Sequence, residues 1–123
     1  METIWQQAEG LKAEMVERRR DLHRHPETGW TEFRTASMII GELKALGYDV
    51  KFGADVIDEK SMMGVPSEAE LADYMQRAIS EGADPELVKQ MAGGKTGIVA
   101  TLKTDKPGKT VAFRFDMDCN DVE

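Results

Sequence analysis

Asp116 and Asp118, in the run T-V-A-F-R-F-D-M-D at residues 110–118, are the side chains best placed to do chemistry. Val111, Phe113 and Phe115 alternate with Ala112, Arg114 and Asp116, the period-two pattern of a strand with one wholly apolar face. The two acids then fall on one side at the carboxyl end of that strand. Ligands of open α/β sheets sit in the crevice beyond the carboxyl ends of the strands, so this pair is a candidate metal or metal-adjacent site. The competing reading takes Asp116, Asp118, Asp121 and Glu123 together as a solvated acidic turn.

A self-sufficient metallohydrolase needs three or four side-chain ligands and at least one open position. The chain has two histidines, His23 and His25. Two residues apart at a helix end, they do not share a face as an i, i+4 pair would, and they are read with Arg114 as structural or anion-binding groups. No complete catalytic or metal-ligand set is expected from these residues. Nucleophile chemistry fares no better, because there is no G-x-S-x-G and Cys119 has no evident base. A strand ending in D-x-D also resembles the Mg²⁺ phosphatases with an aspartyl nucleophile, but Cys119-Asn120 stands where that family places Gly-Thr. Gly93-Gly94-Lys95-Thr96-Gly97 is not a phosphate loop either, since a strand follows it where a helix is required.

The elements that must position these residues are legible from caps and periodicity. Thr3 and Gln6 form a capping box, and Ile4, Ala8, Leu11, Met15 and Leu22 recur at helical spacing, which predicts one helix from there to Arg24 that Gly10 weakens without stopping. Arg18, Arg19, Arg20 and Arg24 crowd its last turns, where they suit the negative end of the helix dipole. His25-Pro26 ends it. After a turn over residues 26–30, Thr31 is expected to cap a second helix carrying Phe33, Ala36, Ile40 and Leu43, with Gly47 as its left-handed stop. Tyr48, Val50 and Phe52 alternate as a short strand, and residues 53–66 read as a long connection with a strand turn near residues 55–58. Ser67 and Glu70 box a third helix with Leu71, Tyr74, Met75, Ala78 and Ile79 on one stripe, and Asp84-Pro85 opens a shorter fourth. Residues 97–103 and 110–116, joined by a turn holding Pro107-Gly108, are expected to pair as an antiparallel hairpin.

A chain of 123 residues accommodates one domain with a modest core. Its net charge of −7 argues against a nucleic-acid or anionic-membrane surface. No apolar run approaches the roughly 20 residues that span a bilayer. The single cysteine forms no intrachain disulfide, and the first ten residues lack a basic or apolar leader region, so a reducing, cytoplasmic setting is expected.

R-R-D-L-H-R-H-P-E-T-G-W from Arg19, E-F-R-T from Glu32 and F-R-F-D-M-D from Phe113 resemble the N-terminal part of the dinuclear metal amidohydrolases, the group of aminoacylases, auxin-conjugate hydrolases and carboxypeptidase-G-like enzymes. Residues 56–66, the helix from Ser67 with its Gly82-Ala83, and G-G-K-T-G-I-V-A-T-L from Gly93 are most similar to the p-aminobenzoyl-glutamate hydrolase branch. The resemblance spans the whole chain. It implies the α/β class: residues 1–123 would be a single partial domain, the N-terminal part of a zinc-peptidase-like three-layer α/β/α domain, whose full-length form dimerises through an inserted domain. It also implies cleavage of an amide beside a free carboxylate, with Zn²⁺ or Mn²⁺ activating water. In that branch the ligands come from a Cys-x-His motif, a Glu-Glu pair and later histidines, all downstream of the D-M-D motif and absent from this sequence. Asp118 matches the aspartate that orients a metal-bound histidine, and Asp116 the position of a ligand histidine in other branches. Cys119 stands where relatives usually have alanine, and Asn120-Asp121-Val122 departs from their Leu-Pro. These residues alone are therefore expected to bind no metal and hydrolyse nothing, and to need the remainder of the enzyme or a complementing chain. With sheet edge and apolar face uncovered, self-association is expected. Half of a split enzyme and a non-catalytic interaction module remain the alternatives.

Overall fold

In the computed structural model of the chain, which describes residues 1–120, the core gathers on helix α3 (Phe33–Ala45). Phe33, Ala36 and Ile40 lie on one face of it and are wholly shielded from water, as their spacing predicts. Helix α4 (Glu68–Ser80) lays Leu71 and Ala78 against that face, α5 (Pro85–Gln90) adds Val88, and Ala83 and Met91 close the cluster. Each large apolar side chain buried this way stabilises the fold by roughly 1.5–3 kcal/mol. Both caps form as expected. The Ser67 side chain accepts the Glu70 N–H while the Glu70 carboxylate accepts the Ser67 N–H at 2.8 Å, and the Asp84 carboxylate accepts the Glu86 N–H at 2.9 Å.

The first helix departs from expectation. It is two helices, α1 (Ile4–Gly10) and α2 (Lys12–Arg24), meeting at Leu11, whose N–H turns to the Ala8 carbonyl at 3.2 Å in a tighter turn. Gly10 sits at the joint, where its poor helix propensity makes the break cheapest. The capping box of Thr3 and Gln6 is present, yet neither helix buries a residue, and Ile4, Leu11 and Met15 of the expected stripe face water. Arg18 bridges Glu14 and Glu42 and so ties α2 to α3, while Arg20 pairs with Glu17. Thr31 is not the cap of α3 either. Glu32 occupies that position without a side-chain cap bond, and the first-turn amides are satisfied from elsewhere.

Strands β1 (Asp49–Phe52) and β2 (Ile98–Thr101) pair antiparallel, with Val50 opposite Ala100 and Phe52 opposite Ile98. This overturns the expected hairpin between residues 97–103 and 110–116. The reason is packing: Val50, Phe52 and Ile98 meet the helical core from one face of the sheet, whereas Val111, Phe113 and Phe115 have no apolar surface to cover and lie exposed. Phe113 and Phe115 stack on each other, ring centroids 6.3 Å apart. The D-x-D run thus has no strand behind it, although the α/β class stands. At the end of β1, the Gly53 N–H donates to the Gly97 carbonyl at 3.3 Å and the chain turns away with Gly53 at φ +67°. A Cβ there would lie 2.6 Å from the Gln90 carbonyl oxygen, closer than any side chain tolerates. Two 3₁₀ turns, Gly53–Asp55 and Glu59–Ser61, replace the strand turn expected near residues 55–58. Among the described residues no helix is long and apolar enough to cross a membrane. Asp121 and Glu123 of the acidic run lie outside the described residues.

Candidate functional site

Residues 102–120 carry no helix or strand, so Asp118 is placed by its neighbours. Met117 packs its side chain against the core, and the Cys119 N–H donates to the Glu27 carbonyl at 2.9 Å. Between these two attachments Asp118 reaches a cleft of about 660 Å³, lined also by His23, His25, Thr28, Tyr74, Arg77 and Cys119. The end of α2, the H-P-E turn, the middle of α4 and the D-x-D segment therefore converge. His23 and His25 share that cleft with Asp118, which sequence spacing did not require. Asp116 and Arg114 do not join it: they pair with each other at 2.8 Å on the exposed side of the segment.

His25 is oriented. Its Nδ1 lies 2.9 Å from the Asp21 carbonyl oxygen, which can only accept, so Nδ1 carries a proton and the ring is held with that edge toward α2. Asp21 is itself paired with Arg34 at 2.9 Å, and that guanidinium holds its carboxyl below the usual range. Arg34 also donates from Nε to the Glu81 carbonyl at 3.0 Å, fastening α3 to the end of α4.

Two buried acids lie behind the cleft, and neither stands out in the sequence. Glu27 accepts the Arg34 and Thr35 amides, each at 2.8 Å, and so does the capping expected of Thr31. Glu32 accepts the Thr96 hydroxyl at 2.6 Å. Burial pushes its carboxyl up, and the charges of Asp118 and Glu27 push the same way. The available signal was position: an acid just after His-Pro, seven and eight residues ahead of the amides it caps.

The donors do not complete a metal centre. Among the described residues no group of three or more histidine, cysteine, aspartate or glutamate side chains gathers closely enough to hold an ion. A Zn²⁺ or Mn²⁺ site with three or four ligands does not fit these residues on their own. What the arrangement offers is an aspartate and two imidazoles lining one cleft, with the buried Glu27 carboxylate at its wall.

No family model matches the chain. It is 51% identical over 112 residues to an indole-3-acetyl-aspartic acid hydrolase of Enterobacter agglomerans, a match that covers 91% of this chain and 26% of that protein. It is 43% identical over 122 residues to one subunit of the p-aminobenzoyl-glutamate hydrolase of Escherichia coli, covering 99% of this chain and 28% of the relative. The crystal structure of an aminobenzoyl-glutamate utilization protein from Klebsiella pneumoniae superposes with a TM-score of 0.87 at 48% identity, over 92% of this chain and 29% of that one. The chain spans little more than a quarter of the length of these proteins. Over that quarter it is, in sequence and in fold, a homologue of p-aminobenzoyl-glutamate hydrolase and the related hydrolases.

Proposed function

We propose that these residues are the opening segment of a metal-dependent amidohydrolase that cleaves p-aminobenzoyl-glutamate or a related acyl-amino acid, and that they do not hydrolyse it alone. The observation that carries the reading is the match itself: close identity over nearly all of this chain and only 26–28% of two hydrolases. By their names, both relatives act on an acyl group joined to an acidic amino acid, which sets the substrate class. The Zn²⁺ or Mn²⁺ of such an enzyme would polarise the amide carbonyl and activate water, with ligands from residues outside this chain. Asp118 is assigned the part of a metal-adjacent group that orients a ligand histidine. Its exposed carboxylate at the cleft, open to a histidine from the rest of the enzyme, supports that assignment. A cytoplasmic setting fits the single, unpaired Cys119.

A second reading, in which a separate chain supplies the missing part, is favoured by the exposed Val111, Phe113 and Phe115, which ask for a covering surface. A chimera tests the proposal. This chain replaces the matching stretch of the Escherichia coli relative, which is assayed within its own assembly, beside the 123-residue chain alone with either metal. The chimera is expected to release glutamate and the lone chain to release none. In the chimera, Asp118→Asn should lower kcat about 10–100-fold. A folded but inactive chimera, or turnover by the lone chain, would overturn the reading.

A further inference from the structure

The D-x-D segment hangs on very little. Among the described residues, the backbone of residues 102–120 makes one backbone hydrogen bond to the rest of the chain, from the Cys119 N–H to the Glu27 carbonyl at 2.9 Å. Asp118 immediately precedes that bond, so its location follows the turn that carries Glu27. That turn is held in place by the Glu27 side chain. The residue is 7% exposed, and its two carboxylate oxygens accept the Arg34 and Thr35 amides at 2.8 Å each. Those amides belong to the first turn of α3, where the helix leaves N–H groups without internal partners and favours negative charge. Glu32, at the N-cap, supplies no side-chain bond to them. One residue therefore closes the core helix with its carboxylate and fixes the D-x-D segment with its carbonyl.

We propose that Glu27 is a positioning residue for Asp118. Its carboxylate clamps the H-P-E turn onto α3, and the clamped carbonyl sets the height at which Asp118 enters the cleft. Glu27 acts only through Asp118. The catalytic consequence rests on the reading of Asp118 given above, while the clamp is a property of this chain and can be measured without any activity.

Cys119 is the reporter. It is the single cysteine, half-buried, and its own N–H makes the bond in question. Maleimide labelling of the native chain is compared in Glu27→Ala, Glu27→Gln and Ser67→Ala, the last removing the cap of α4 as a control for general destabilisation. Loss of two charge-assisted bonds should speed labelling about tenfold or more in Glu27→Ala. Glu27→Gln, which keeps one acceptor oxygen, should fall between it and the parent, and carries the test if the alanine variant does not fold. Ser67→Ala should label at the parent rate. A Glu27 variant that stays helical by circular dichroism and labels at the parent rate overturns the proposal, as does equal acceleration in Ser67→Ala. In the chimera, Glu27→Gln should lower kcat with KM unchanged and lower it no further once Asp118→Asn is present. Additive losses would place Glu27 in a separate role and overturn its action through Asp118. A chimera inactive in every form defeats the functional reading alone, and the labelling result then decides the clamp by itself.

Discussion

Glu32 and Asp21 flank the same turn and titrate in opposite senses. Burial raises the folded-state pKa of Glu32, so its contribution to stability is present below the unfolded value, about 4.3, and is lost as pH rises through the folded value. Arg34 lowers that of Asp21, whose contribution is present above an unfolded value of about 3.9 and is lost as pH falls through the folded one. Urea melts across pH should separate them. Glu32→Gln is expected to be more stable than the parent at pH 7 and equal to it near pH 3, because the amide oxygen still accepts the Thr96 hydroxyl without a buried charge. Asp21→Asn should be less stable at pH 7, with the gap closing below about pH 4. A Glu32→Gln variant less stable than the parent at pH 7, or an Asp21→Asn variant more stable, would contradict the assignment concerned. Of the buried acids, neither Glu27 nor Glu32 was legible in the sequence. Glu27 stands among Pro, Thr and Gly, a composition that describes a solvated turn equally well, and Glu32 lies between Thr31 and Phe33 at a helix start, where acids are usually solvated; only the packing around the start of α3 takes them out of water. Asp118 and the two histidines were legible as types, but not their shared cleft.

Among the elements, whatever is decided locally was readable. The boxes of Thr3 with Gln6 and Ser67 with Glu70, the Asp84-Pro85 start and the stripe of Phe33, Ala36 and Ile40 all depend on residues within two turns of one another. Strand pairing does not, and there the expectation failed: Pro107-Gly108 offered a nearby turn, while the partner of β2 lay beyond two helices. Gly53 makes that distant pairing sterically possible. Gly53→Ala should destabilise the chain by on the order of 3 kcal/mol, combining a left-handed backbone with a Cβ driven against the Gln90 carbonyl. Gly47→Ala, equally left-handed at φ +85° but with open space around it, should lose only about 1 kcal/mol. Equal losses in denaturant titrations would show that the approach of α5 to Gly53 is not tight.

For the molecule as a whole, exposed apolar surface gathers in two places, on α1 and α2 with Ile4, Trp5, Leu11 and Met15 and again late in the chain. Val111, Phe113 and Phe115 are 72%, 79% and 81% exposed, and Val99 and Leu102 continue the exposure onto β2 and just past its end. Such a patch beside an unpaired strand edge promotes association. Light scattering from about 1 to about 100 micromolar should show oligomers for the parent and a monomer for Phe113→Ser with Phe115→Ser. The double variant should melt within about 0.5 kcal/mol of the parent, since neither ring is packed in the core. A parent that remains monomeric throughout would argue that the segment covers itself. The relationship to the amidohydrolases was legible from the order of motifs, because that order survives where individual side chains do not report their burial.

The pairing of Phe52 with Ile98 has a consequence in time as well as in space. Everything from residue 53 to residue 97 lies between the two strands, so the ladder forms only after the ends of that excursion have been brought together. Loop closure on this scale is entropically opposed until α4 and α5 have collapsed onto α3 to shorten the effective path. The helices should therefore acquire amide protection first in pulse-labelling during refolding, with the β1 and β2 amides last. The Gly53 contact with α5 would then be the step that commits the chain, and a Gly53 variant would slow the late phase while leaving the early one untouched.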